Sequence, residues 1–128
     1  MACRLTEICI DSRDPAALAA WWAEVLGYVV VDSDDTGATE IGPPGAAPHG
    51  PVPTLTFIAV PDPTPGKRRL HLDVNATDRP QAAELERLLA LGARRADVGQ
   101  TGEESWVVLA DPEGNEFCLL ATTVQPVG

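Results

Sequence analysis

The stretch Ala110-Asp-Pro-Glu-Gly-Asn-Glu-Phe-Cys-Leu-Leu120 (ADPEGNEFCLL) decides how the chain folds. Asp111, Pro112, Gly114 and Asn115 are turn formers, each through its own backbone preference. Behind the turn, Glu116 and Cys118 alternate with Phe117 and Leu119, so a strand puts the first pair on one face and the second pair on the other. The preceding SWVVLA (105–110) is rich in β-branched residues and predicts a strand running into the same turn. The chain therefore closes on a hairpin.

The rest of the second half follows from it. RRLHLDV (68–74) alternates, with Leu70, Leu72 and Val74 on one side and Arg69, His71 and Asp73 on the other. DRPQAAELERLLALG (78–92) predicts a helix with Asp78 as N-cap, Pro80 in its first turn and Gly92 as its stop. ARRADV (93–98) predicts a short strand. The order is β-α-β-β-β, and the first half has it too. A strand lies within CRLTEICID (3–11), and a helix opens with Asp14 as cap and Pro15 in its first turn. That helix carries an apolar stripe of Leu18, Trp21, Trp22, Val25 and Leu26 and stops at Gly27. Strands at YVVVDS (28–33), TEIG (39–42) and TLTFIAV (54–60) complete the module, with the Pro/Gly-rich GPPGAAPHGPVP (42–53) as a loop. Glu7 to Gly27 is 20 positions and His71 to Gly92 is 21. The expected fold is α+β: two βαβββ modules, about 4–60 and 68–122, forming a cupped mixed β-sheet with helices on the outside and sharing one domain over 1–128.

Composition narrows the function classes. The 128 residues carry 9 Lys+Arg against 19 Asp+Glu, a formal net charge of -10. A phosphate-binding surface needs clustered cations, and Lys67-Arg68-Arg69 is the only run of three. Nucleic acid and anionic membrane are excluded as partners on that ground. Three cysteines without a spacing pattern give no disulfide framework. MACRLTEICI lacks the features of a leader, and no apolar run approaches the roughly 20 residues of a membrane span, so the expected location is cytoplasmic. No phosphate loop, nucleophile elbow, Cys-x-x-Cys pair or His-Glu-x-x-His helix is present.

The doubled βαβββ order, together with DPAALAAWWAEVLGY, KRRLHLDV and DPEGNEFCLL, resembles the vicinal oxygen chelate superfamily, which includes glyoxalase I, bleomycin-resistance proteins and extradiol dioxygenases. The resemblance runs from Leu5 to Leu120. It implies a small-molecule ligand, a homodimer and, in the metal-binding members, four ligands from four strands. By motif those four positions fall on Glu7, on Thr54 or Thr56, on His71 and on Cys118. Only His71 keeps the usual residue type, so the implied metal site is degenerate: no metal, or a divalent ion such as zinc, nickel or iron. Two histidines and a carboxylate, the dioxygenase set, are not available from the matched positions.

Read as chemistry, Glu7 is a carboxylate within a strand, to be paired with Arg69, solvated or bound to metal. His71 is a proton carrier or metal ligand expected to share a cup with Glu7. Cys118 is a soft ligand or a small buried hydrophobe. Glu116 shares its strand face, and either replaces it as a ligand or solvates the rim. Trp106 lines a pocket or packs under a helix according to its parity. His49 belongs to the loop. Three functions follow: sequestration of a small, cationic or aromatic ligand in a metal-free cup; a metal-dependent lyase or isomerase using Glu7, His71 and Cys118 or Glu116; and metal-free acid/base chemistry by His71 with Glu7 or Asp73.

Overall fold

The computed structural model describes residues 2–64, 66 and 69–127. The chain divides into two compact units at Thr64/Pro65. The first comprises β1 (Glu7–Ser12), α1 (Pro15–Leu26), β2 (Val29–Ser33), β3 (Thr39–Gly42) and β4 (Thr54–Ala59). The second comprises β5 (Leu72–Val74), α2 (Gln81–Ala90), β6 (Arg94–Arg95), β7 (Val107–Ala110) and β8 (Glu116–Leu119). Both sheets have one topology, β1-β4-β3-β2 and β5-β8-β7-β6. In each the first strand pairs in parallel with the last, and the remaining ladders are antiparallel. The fold class is therefore α+β with a repeated βαβββ order, as the hairpin and its upstream pattern require.

The first unit's core follows from strand alternation and helix periodicity. One face of its sheet carries Ile41, Leu55 and Phe57, and α1 packs across β3 and β4 to bring Leu18, Ala19, Trp22 and Val25 onto that side. Asp14 caps α1, its Oδ1 accepting from the Ala17 N–H at 3.2 Å, and Gly27 ends it at φ 68°, a left-handed conformation that suits glycine. Trp22 is 1% exposed and meets Trp21 edge to face at 5.1 Å between ring centroids. The opposite face of the sheet carries Glu7, Cys9, Glu40, Thr54 and Thr56, as the register Glu7↔Thr54, Cys9↔Thr56 and Glu40↔Thr56 requires.

Three expectations for the second unit need correction. Asp78 does not cap α2: both its carboxylate oxygens accept from Arg79, Nε at 2.8 Å and Nη2 at 3.1 Å, and Pro80 takes the N-cap position with no side-chain cap bond. The strand expected from Arg68, itself outside the described residues, begins only at Leu72. Leu70, expected to share one side of that strand with Leu72 and Val74, lies before it and is 84% exposed.

The closing turn is held by its own acid. Asp111 is fully buried, and its carboxylate accepts from the Glu113 and Asn115 backbone N–H groups, both at 2.9 Å, and from the Asn115 side-chain amide. Gly114 supplies the left-handed residue at φ 88°. This turn fixes the β7–β8 register of Val108↔Cys118 and Ala110↔Glu116, which places every strand-borne group of the site below.

Candidate functional site

The β5–β8–β7 ladder aligns Asp73, Cys118 and Val108 side by side, since Asp73↔Cys118 and Val108↔Cys118 are register partners. Alternation then puts Trp106, Val108, Glu116 and Cys118 on one face of the sheet, while Leu109, Phe117 and Leu119, all buried, take the other. On the first face is an open cavity of about 470 Å³, whose lining includes Arg69, His71, Asp73, Trp106, Glu116 and Cys118. Five of the residues expected from sequence at a ligand site (Arg69, His71, Trp106, Glu116 and Cys118) thus meet in one place within the second unit. Trp106 precedes β7 rather than lying in it, is 45% exposed, and lines the cavity. Its indole is a wall of the site and not part of the core.

Within the cavity His71, Asp73 and Cys118 form a tighter group. The imidazole Nε2 and Asp73 Oδ1 are 3.2 Å apart, and one donor atom from each of the three residues lies within 4.8 Å of the others. His71 and Asp73 reach solvent, whereas Cys118 is half-buried and lines the cavity, so it is not simply a core hydrophobe. The side-chain contact between His71 and Asp73 follows from their spacing of two, which in extended backbone sets both on one side. The contribution of Asp73 to this group was not singled out as a ligand from sequence, although the alternation His71-Leu72-Asp73 carries that signal.

Glu7 is on the polar face of the first unit's sheet. Its Oε2 accepts from the Thr56 hydroxyl at 2.5 Å, and the Thr54 hydroxyl donates to Glu40 Oε2 at 2.5 Å. The carboxylate expected to seek Arg69 or solvent therefore has a hydroxyl partner across the parallel β1–β4 ladder. Glu40 went unnoticed in the sequence, although alternation in TEIG sets it apart from Thr39 and Ile41. Cys9 sits among these acids: partial burial, then the charges of Glu7, Asp11 and Glu40, push its thiol pKa up. His49 lies in the loop at φ 63°, its carbonyl accepting from the Arg4 guanidinium.

The metal that the fold resemblance implies can be tested against these donors. Thr54 and Thr56 donate their hydroxyl protons to carboxylates in the first unit, and a neutral hydroxyl is in any case a weaker ligand than imidazole, carboxylate or thiolate. His71, Asp73 and Cys118 offer imidazole, carboxylate and thiol at separations a divalent ion would need to close only modestly. The group in the second unit keeps His71 and Cys118 of the four matched positions and adds Asp73.

The model of the glyoxalase-like domain matches residues 7–120. The chain belongs to the glyoxalase-like domain family. It is thereby a vicinal oxygen chelate protein, and solved structures of the same fold agree. A variant of the fosfomycin resistance protein FosX from Listeria monocytogenes, complexed with Mn(II) and 1S,2S-dihydroxypropylphosphonic acid, superposes with a TM-score of 0.71 at 16% identity, covering 97% of this chain and 94% of that one. A glyoxalase/bleomycin resistance protein/dioxygenase family enzyme from Burkholderia phytofirmans PsJN gives 0.67 at 19% identity over 91% and 97% of the two chains. TnmS3, an antibiotic binding protein from Streptomyces sp. CB03234, gives 0.61 at 19% identity over 98% of each. At such identities the likeness is one of fold. No curated protein sequence matches the chain significantly. Among the described residues no helix is long and apolar enough to cross a membrane.

Proposed function

We propose that this glyoxalase-like protein binds a small molecule with an aromatic body in the cavity of its second unit. The observation that carries the reading is the cavity itself, about 470 Å³ with an indole and aliphatic wall and a few polar groups at fixed positions. Small-molecule sites have this size and composition: apolar surface supplies affinity and a small polar set fixes orientation. Trp106 and Val108 form the apolar wall, while His71, Asp73 and Glu116 provide hydrogen-bond partners, and the two carboxylates against the one Arg69 guanidinium leave a net negative lining suited to a ligand with a cationic or donor group. That a fold relative is an antibiotic binding protein supports small-molecule binding as one use of this fold.

The test is a thermal-shift screen of cationic aromatic compounds, followed by fluorescence titration of the hits. Trp106→Ala and His71→Ala weaken binding of a true cavity ligand by tenfold or more, as roughly 1.4 kcal/mol of lost contact implies. Hits whose affinity is unchanged in both variants, or a screen without hits across the class, would reject the cavity as the ligand site.

A second reading is favoured by the His71–Asp73–Cys118 group. There a divalent metal would be held, supplying a Lewis acid for a bound oxygen function, with Glu116 placed on the same face to accept or deliver a proton. A fold relative binds Mn(II), which supports metal as one use of this fold.

A further inference from the structure

We propose that the second unit carries a self-contained site for zinc made by His71, Asp73 and Cys118, with Asp73 as the third ligand in place of any group from the first unit. It rests on the same cavity as the function proposed above, and sharpens its metal-bound reading by naming the ligands and the ion.

Three observations converge. Asp73 and Cys118 are register partners on the hydrogen-bonded parallel strands β5 and β8, so the backbone holds two of the three side by side. His71 is two residues before Asp73, and its Nε2 lies 3.2 Å from Asp73 Oδ1. All three donor atoms fall within 4.8 Å of one another. Tetrahedral zinc with bonds of about 2.0–2.3 Å sets neighbouring donors roughly 3.4–3.7 Å apart, so donors within 4.8 Å of one another need a side-chain adjustment of about 1 Å to close. The side chains that must move are exposed or half-buried, which makes that adjustment cheap.

Donor chemistry names the ion. A thiolate with an imidazole favours zinc, whereas magnesium and manganese prefer all-oxygen sites, so the Mn(II) of the fold relative is not the expected ion here. Cys118 would ligate as thiolate, its proton passing to solvent. Three protein ligands would leave zinc one position short of four, the count of a catalytic or ligand-binding site and not of a closed structural one, and Trp106 and Glu116 line the same cavity as the three donors.

The experiment is a Co(II) and Zn(II) titration of the full chain in a Cys3→Ser/Cys9→Ser background, which removes the two exposed thiols. One equivalent should bind, with a thiolate-to-cobalt charge-transfer band in the near ultraviolet and ligand-field intensity typical of four-coordination. Zinc should displace the cobalt. Cys118→Ser should abolish the band. Asp73→Asn and His71→Ala should each weaken zinc by roughly tenfold or more, while Glu7→Gln should change nothing. Wild-type affinity in Asp73→Asn, loss of binding in Glu7→Gln, a band that survives Cys118→Ser, or no stoichiometric binding would each overturn the assignment. Circular dichroism of each variant separates misfolding from loss of a ligand. The metal-free thermal-shift screen reads small-molecule binding independently, so failure of zinc binding leaves that reading to stand or fall alone.

Discussion

Removing the carboxylate of Asp111 should unlock the closing turn and, with it, the register that builds the site. Asp111 is 0% exposed and accepts from the Glu113 and Asn115 backbone N–H groups and from the Asn115 side-chain amide. Hydrogen bonds to a charged acceptor contribute about 1.5–3 kcal/mol each, but Glu113 and Asn115 are half-buried, so water recovers part of that when the acceptor goes. Two backbone bonds near the lower end of the range and a weaker amide bond give about 3–4 kcal/mol for Asp111→Ala. With a urea slope of about 1.5–2 kcal/mol/M, the midpoint should fall by about 2 M. Asp111→Asn keeps an oxygen for the backbone donors but turns an NH₂ toward the Asn115 amide, and should cost about 1–2 kcal/mol. Gly114→Ala is the independent control: a Cβ there meets no atom within 4 Å, so its cost of about 1–2 kcal/mol arises from φ 88° alone. Urea unfolding followed by far-ultraviolet circular dichroism reads all three. If Asp111→Ala costs less than 1 kcal/mol, or less than Asp111→Asn, the turn is not held by its carboxylate and the reasoning fails.

Trp22→Ala should destabilise the first unit by about 3–5 kcal/mol, because a nearly buried indole leaves a cavity between α1 and the sheet, whereas the half-buried Trp21 should cost distinctly less; equal losses in the two variants would refute the helix's assigned face. Cys9 should alkylate with a pH midpoint above the ordinary thiol value, since burial and then Glu7, Asp11 and Glu40 raise its pKa, and Glu40→Gln should lower that midpoint. The sign for stability follows. A thiol raised on folding contributes below its unfolded pKa, and the contribution is lost as pH rises through the folded value. A midpoint at or below that of an unfolded peptide containing Cys9, read by mass-spectrometric mapping, would contradict this environment.

Much of the site was legible because strand alternation is geometric. Once ADPEGNEFCLL is a turn and a strand, Glu116 and Cys118 must share a face, and so must His71 and Asp73 in extended backbone. The same rule failed at Leu70, where no partner strand extends the ladder, and sequence cannot show where a partner ends. Asp78 illustrates a second limit. A good capping residue next to an arginine has two competing uses, and the guanidinium took it.

By itself the sequence determined the repeated βαβββ order, the capped first helix and the faces of the last hairpin. These depend on residues close in the chain, whose periodicity and turn chemistry act locally. Only the tertiary structure decided that Trp106 is a cavity wall, that Glu7 accepts from Thr56, and that Asp73 stands beside Cys118. Each of those pairings joins distant segments through strand register. Register is set by which backbones hydrogen-bond together, and that is a property of the assembled sheet.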